Sequence, residues 1–284
     1  MNVAVLGMGA MGSRMADALL EVGHSVIVWN RTAARCAPLS ERGASVAASA
    51  AEAAKGCGVV LAMVRDDEAS RSLWLGDGGV LESLADDTVA IDASTLSPAW
   101  AVELAEHFEA RGGVSFLESP VLGSRPQIEA HVLATLVSGD KAAIEVARPV
   151  FEAYSAKVVP LGGYGRAAAM KLAVNSLLAV QVAAYSESLL GLIAQGFERD
   201  AAADVLSGLP ITSPAMQKVL GAIQEAAHSP NFPIELVAKD LGYAEAATGD
   251  APHELVAVTR TLFDRAVDAE AGDVDITGLI TTLS

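Results

Sequence analysis

Three groups of residues in this chain have types and spacing that can do chemistry. The first is Gly7-Met8-Gly9-Ala10-Met11-Gly12, which follows the apolar run Val3-Ala-Val-Leu6 and leads into a helical pattern. In such a setting the first glycine makes a tight turn, the second lets a pyrophosphate approach the backbone, and the third lets helix and strand pack closely. The start of the helix then presents free N–H groups and the positive end of a dipole to phosphates. A lone glycine motif is weak. Its place between a strand and a helix, with a second strand ending about twenty residues later, raises it above a merely glycine-rich turn.

The second group closes that second strand: Trp29-Asn30-Arg31-Thr32. A site for NAD ordinarily has Asp or Glu there to accept from the ribose hydroxyls. Here there is no carboxylate to repel a 2′-phosphate, and the guanidinium fork of Arg31 suits one. Asn30 and Thr32 add neutral donors. NADP(H) is therefore expected in preference to NAD(H), with an ordinary solvated loop arginine as the plainer alternative.

The third group is Lys171 and Asn175, four apart in the helix-forming, apolar segment Ala167–Val180. That spacing puts both on one helical face. Polar groups in such a helix must reach water, a partner or a cleft, because burying them unpaired is costly. Beside a nicotinamide, the lysine ammonium can donate a proton to a carbonyl oxygen as hydride reaches the carbon, and the neutral amine can accept it in reverse. Asn175 can hold the substrate oxygen or the lysine. A lysine that snorkels to solvent is the bland alternative.

The elements that must position these groups fall into two sets. Short β-rich runs at Asn2–Leu6, Ser25–Trp29, Val59–Met63, Val89–Ile91, Val114–Leu117, Val132–Val137 and Lys157–Val159 alternate with helical stretches such as Met11–Val22, Pro98–Ala110 and Ala142–Tyr154. Alternation of this kind predicts an α/β domain with a mainly parallel, doubly wound sheet. After Gly162 no convincing strand remains, and helices are expected over 167–194, 201–206, 214–227, 234–248 and 254–269. The expected organisation is a Rossmann domain for NADP over residues 1–162. An all-α domain follows over 163–284.

Composition excludes several classes. The chain has 284 residues, 52% of them apolar, and a formal charge of −16. Such acidity, with Lys and Arg scattered singly, argues against nucleic-acid binding. The apolar content argues against disorder. Cys36 and Cys57 are too few for a disulfide scaffold and lack metal-ligand spacing, so no metal is expected. The start of the chain lacks the basic region of an export signal, and a cytoplasmic protein is expected. The segment Leu172–Gly196 is strongly apolar, yet Asn175, Gln181, Ser186, Glu187 and Gln195 argue against a membrane span. It should be buried in a core or a subunit interface, so a homodimer or higher homo-oligomer is expected.

Taken together, the motifs resemble those of the β-hydroxyacid dehydrogenase family, relatives of 3-hydroxyisobutyrate dehydrogenase and of NADPH-dependent glyoxylate and succinic-semialdehyde reductases. The resemblance covers essentially the whole chain. It rests on the glycine loop with Met15-Ala16, Gly23-His24, Asp92-Ala-Ser94-Thr95-Leu-Ser-Pro98, Phe116-Leu-Glu-Ser-Pro120-Val121-x-Gly123, Gly162-x-x-Gly165 with Lys171 and Asn175, Lys239-Asp240-Leu241, and Asp273-Val-Asp275-Ile276. It implies a long interdomain helix and a helical domain, residues 163–284, that serves substrate binding and dimerisation. It also implies a small hydroxy acid, oxo acid or aldehyde as substrate, Lys171 as catalytic acid/base and Asn175 as its neighbour. By the same resemblance Ser94 and Thr95 contact the nicotinamide half. Lys239 lies near cofactor and cleft, with Asp240 supporting it; read without the resemblance, these two are an exposed ion pair on a surface helix.

The substrate stretch departs from the family pattern. Leu122 stands at the usual serine, Gly123 is kept, and Ser124 replaces the second glycine. Arg125 stands where an anion could use it, and Pro126 stiffens the loop. These changes allow a less polar or differently held substrate. The similar imine reductases commonly replace the lysine, so Lys171 argues against that branch, which stays an alternative because reduction of an imine also needs a hydride and a nearby acid. A non-catalytic dinucleotide-binding sensor is the alternative from another class. His131 reads as a packed or surface residue, and Asp66-Asp67-Glu68 as a solvated helix start.

Overall fold

The computed structural model describes residues 1–226, 228, 230–249 and 251–283. It divides into two compact units, Met1–Lys171 and Leu172–Ser284.

Unit 1 is built on one nine-stranded sheet. Its strands are β1 (Asn2–Leu6), β2 (Ser25–Trp29), β3 (Ser45–Val46), β4 (Val59–Ala62), β5 (Val89–Asp92), β6 (Ser115–Glu118), β7 (Val121–Leu122), β8 (Leu133–Gly139) and β9 (Ser155–Gly162). The order is β3-β2-β1-β4-β5-β6-β8-β7, with β9 also pairing β8. All pairings are parallel except β6 with β8 and β7 with β8. Strand β1 shows why the sheet is buried on both faces. Val3 and Val5 belong to one core, with Met15, Leu19 and Phe151, while Ala4 and Leu6 belong to the other, with Trp74, Leu104 and Phe108. Alternating side chains on a pleated strand feed two layers of helices.

Helices α1 (Gly12–Glu21) and α7 (Lys141–Glu152) cover the first face, and α3 (Ala50–Ala54), α4 (Asp67–Leu75) and α5 (Pro98–Arg111) the second. Their starts follow from side-chain caps. Asp66 accepts from Ala69 N at 2.8 Å, so the acidic triplet opens α4. Ser97 caps α5 with Pro98 in its first turn, and Asp140 caps α7. The short α2 (Ala37–Glu41) and α6 (Arg125–Glu129) complete the unit. Strands β3 and β7 and helix α6 were not expected from the sequence pattern.

Helix α8 (Arg166–Ala194) contains the division between the units. In unit 2 its residues Ala179, Val182, Ala183 and Leu189 pack with α9 (Arg199–Ser207), α10 (Pro214–Gln224), α11 (Ile234–Ala247) and α12 (Glu254–Asp268) around Met216, Ile234 and Phe263. The final 3-10 turn, Ile276–Thr282, closes this core. Asp275 fixes it, accepting from Asn231 N at 2.8 Å and Phe232 N at 2.9 Å. The expected last residue of α10, Ala227, lies outside the described residues.

Candidate active site

The three glycines of the loop have different surroundings. Gly7 has φ +106°, and a Cβ there would lie 2.2 Å from Met63 O. A Cβ on Gly12 would lie 2.0 Å from Gly7 O. Neither position admits a side chain. Gly9 has nothing within 4 Å of that point and lines an open cleft of about 580 Å³. So two glycines let the backbone fold tightly, and the third leaves the backbone bare toward the cleft. The cap position of α1, Met11, gives no side-chain hydrogen bond, and the first turn holds no acidic residue. The first amides of any helix lack intrahelical acceptors. At the start of α1 Ser13 N is taken by Gly9 O at 3.1 Å, and the cleft that Gly9, Ala10 and Ser13 border has no carboxylate among its lining residues, which fits a pyrophosphate.

Asn30 ties this loop to the end of β2. Its Oδ1 accepts from Met8 N at 2.9 Å, and its Nδ2 donates to Thr32 O at 3.0 Å. Its amide thus holds the loop and the turn after β2 together. Arg31 and Thr32 are exposed. Arg35, on the 3-10 turn Ala33–Cys36, lines the cleft with Ser13, Pro38, Leu39 and Arg125. The sequence reading passed over Arg35; its spacing of four from Arg31, across a tight turn, was the available signal.

Ser94 is buried beyond the end of β5. It accepts from Val64 N at 2.8 Å and donates its own N–H to Asp92 Oδ1 at 3.0 Å. Asp92 also accepts from Ser70 Oγ at 2.7 Å and Trp74 Nε1 at 2.9 Å. Full burial pushes its carboxyl above the ordinary range, against the pull of these donors. Thr95 beside it is half-buried. Leu122 pairs with Ala134 in β7, and Gly123 has φ +122° with no room for a side chain against Leu133. Ser124 N donates to Gln127 Oε1 at 2.9 Å, half of a capping box that opens α6. His131 Nδ1 is 2.6 Å from Ala153 O and its Nε2 is 3.4 Å from Glu21, a packed surface residue.

The start of α8 is held by groups of unit 1. Glu118, at the end of β6, accepts from Gly165 N at 2.7 Å and from Ala168 N. Ser138 Oγ accepts from Ala167 N at 3.1 Å. A carboxylate at a helix N-terminus is favourably placed for the dipole. Burial nevertheless raises the Glu118 carboxyl to about 7, with its backbone donors opposing the rise. This clamp was not legible in the sequence, because its partners are 47 and 50 residues apart.

Lys171 follows on α8, half-buried, and Asn175 comes one turn later. In unit 2 the buried Asn175 donates from Nδ2 to Asp240 Oδ2 at 2.6 Å. The other carboxylate oxygen of Asp240 lies 2.8 Å from Lys239 Nζ, an ion pair, and Lys239 Nζ stands 4.6 Å from the centre of the Tyr243 ring. Asp240 is only 3% exposed. The pair is therefore an interior polar cluster that fixes the Asn175 amide, not an exposed ion pair.

A glycine loop on a doubly wound sheet, followed by a helical unit carrying these polar residues, defines a nicotinamide-dinucleotide-dependent oxidoreductase acting on CH–OH groups. Residues 2–163 match the NAD-binding domain of 6-phosphogluconate dehydrogenase. Residues 165–283 match the NAD-binding domain of NADP-dependent 3-hydroxyisobutyrate dehydrogenase. Glyoxylate/succinic semialdehyde reductase 1 of Arabidopsis thaliana is 34% identical over 99% of this chain and 97% of its own length. The human cytokine-like nuclear factor N-PAC is 31% identical over 98% of this chain, which spans 50% of that protein. A structure of Mycobacterium tuberculosis 3-hydroxyisobutyrate dehydrogenase with L-serine is 28% identical, covers 99% of this chain and 98% of its own, and has a TM-score of 0.88. The chain belongs to the β-hydroxyacid dehydrogenase family.

Proposed function

We propose that the protein is an NADPH-dependent reductase of small oxo acids or aldehydes, oxidising the corresponding hydroxy acid in reverse. The observation that carries this reading is the Lys171–Asn175 spacing on α8, with the Asn175 amide fixed by buried Asp240. A dinucleotide held by the loop of Gly7, Gly9 and Gly12 would supply or take the hydride. Lys171 donates a proton to the carbonyl oxygen as the hydride arrives at its carbon, and accepts it from the alcohol in reverse. Asn175, held by Asp240, orients the substrate oxygen or the lysine. Lys239, paired with Asp240, carries a positive charge suited to a substrate carboxylate.

Preference for the 2′-phosphorylated cofactor is supported by Arg31 after β2 and by Arg35 in the cleft, with no carboxylate among the cleft-lining residues. The similarity of residues 165–283 to an NADP-dependent dehydrogenase supports it further. Titration of NADPH and NADH into native protein and Arg31→Ala checks this: the native protein should bind NADPH more tightly, and the variant should lose that difference.

A dimer is the proposed assembly, in the cytoplasm. Met170, Val174, Leu177 and Ile193 leave much of α8 exposed, Leu177 at 64%, and a second copy would cover it. Sedimentation should give about twice the 29.1 kDa of the chain; a monomer mass contradicts this.

The test of the activity is NADPH consumption with glyoxylate, succinic semialdehyde and 3-carbon oxo compounds, and NADP+ reduction with 3-hydroxyisobutyrate. Turnover with at least one supports the reading. Tight NADPH binding with no turnover of any would favour a non-catalytic dinucleotide-binding protein.

A further inference from the structure

The cleft beside the glycine loop is lined by a residue from a distant part of the chain. Arg125 is the first residue of α6, and it faces the same space as Gly9, Ala10, Ser13 and Arg35. Helix α6 is held firmly. Its N-terminus carries the Ser124–Gln127 capping box and Pro126 in the first turn. Its last residue, Glu129, pairs with Arg14 of α1 at 2.7 Å. A short, stiffened helix tethered to α1 therefore presents one guanidinium to the open end of α1.

That guanidinium, like those of Arg31 and Arg35 in and beside the same cleft, has no carboxylate partner among the described residues. In a protein of net charge −16, Arg14, Arg42, Arg71, Arg111, Arg148 and Arg260 each pair with a carboxylate. Among the described residues, none lies within ion-pair distance of Arg125. Its Nε is buried without a hydrogen-bond partner. A buried donor left unsatisfied is costly, and an acceptor brought into the cleft would relieve it after a small turn of the side chain. The cleft contains no carboxylate to supply one.

We propose that Arg125 binds the pyrophosphate of the dinucleotide, closing over it from the side opposite the glycine loop. The substrate carboxylate is then not the anion that Arg125 serves, so this residue does not stand in for the serine replaced by Leu122. The anchor on α1 places Arg125 with the amides that open α1, where a pyrophosphate binds. Arg35, on the turn after β2, takes the end of the cleft toward the adenosine ribose. A planar fork with two or more donors matches paired phosphate oxygens. The proposal rests on the dinucleotide reading above, since it assigns a residue within that site.

The test is titration of NADPH and of NADH into native protein, Arg125→Ala and Arg125→Lys, with thermal unfolding of each ligand-free protein. The pyrophosphate is common to both dinucleotides. Arg125→Ala should weaken both by the same factor, about tenfold or more, as expected for loss of a charge-assisted hydrogen bond. Arg125→Lys should recover part of the loss. The ligand-free Arg125→Ala protein should unfold at or above the native temperature, because an unsatisfied donor has been removed; a merely structural arginine would lower it. Unchanged affinity for both dinucleotides overturns the proposal. So does a loss confined to NADPH, which would move Arg125 to the 2′-phosphate, or a raised substrate KM with dinucleotide binding intact. Native protein that binds neither dinucleotide would overturn the cofactor reading itself, before any variant is compared.

Discussion

The glycine loop of unit 1 and the polar cluster of unit 2 perform their tasks with different materials. The loop works through backbone: a Gly9 left bare toward the cleft, a turn at Gly7, and close packing at Gly12. The cluster works through side chains, with Asn175, Lys239 and Asp240 drawn together from α8 and α11. A backbone site is damaged first by added volume, and the charged side chains at its edge tune it. A side-chain site tolerates a change of volume poorly in its interior, and a single lost proton donor or acceptor alters its chemistry while the fold persists.

The largest effect should come from adding a methyl group where the backbone closes on itself. Gly12→Ala puts a Cβ against Gly7 O and should cost about 3 kcal/mol of unit 1 stability, with loss of dinucleotide binding. Denaturant unfolding and NADPH titration measure both. A Gly12→Ala protein with native affinity would break the claim that this contact shapes the loop. Removing a side chain from the other site should act next most strongly. Asp240→Ala removes the acceptor of the Asn175 amide and the carboxylate paired with Lys239, and should cost about 3 kcal/mol or somewhat less, because Lys239 retains the Tyr243 ring and some access to water. Turnover should fall while NADPH still binds to unit 1.

Glu118 sharpens the comparison by placing a titratable side chain under a backbone device. Its folded carboxyl is raised to about 7, above the ordinary glutamate value of 4.5. The folded state thus binds the proton more tightly than the unfolded chain does. Its stabilising contribution is fully present below about pH 4.5 and is lost as pH rises through about 7. The lost amount is on the order of 3 kcal/mol at about 1.4 kcal/mol per unit, and Asp92, also raised by burial, works in the same direction. Unfolding temperature should decline between about pH 5 and pH 8, more steeply than in Glu118→Gln. Equal slopes would show that another group sets the dependence. The smallest effect should be Gly9→Ala. With open space at its Cβ the protein should fold normally, and only phosphate approach should suffer, by about 1 kcal/mol of NADPH affinity.

This contrast also explains what could be read from the amino acids alone. The loop was legible because its three glycines, its strand and its helix are contiguous, and each glycine type follows from a local geometric demand. The sheet, covered on both faces, was legible because β1, β2, β4 and β5 carry apolar residues on both faces. Strands β3 and β7, of two residues each, are too short to show a period, and Pro126 obscured α6. In the helical unit, Lys239-Asp240 read alone as a surface pair. Only the fold reveals that a hydrogen bond across 65 residues makes Asp240 the interior anchor of Asn175. The Glu118 clamp on α8 is hidden for the same reason, and Asn30, read as a donor to a ligand, is engaged within the protein at both ends of its amide.

The central claim is that a dinucleotide held by backbone in unit 1 reacts with a substrate whose proton comes from one side chain on α8. The most direct measurement compares native protein and Lys171→Ala for NADPH affinity and for single-turnover NADPH oxidation with the best oxo substrate. The account predicts equal affinity and a turnover lower by about 10²- to 10⁴-fold. A folded Lys171→Ala protein that oxidises NADPH at a near-native rate would contradict it.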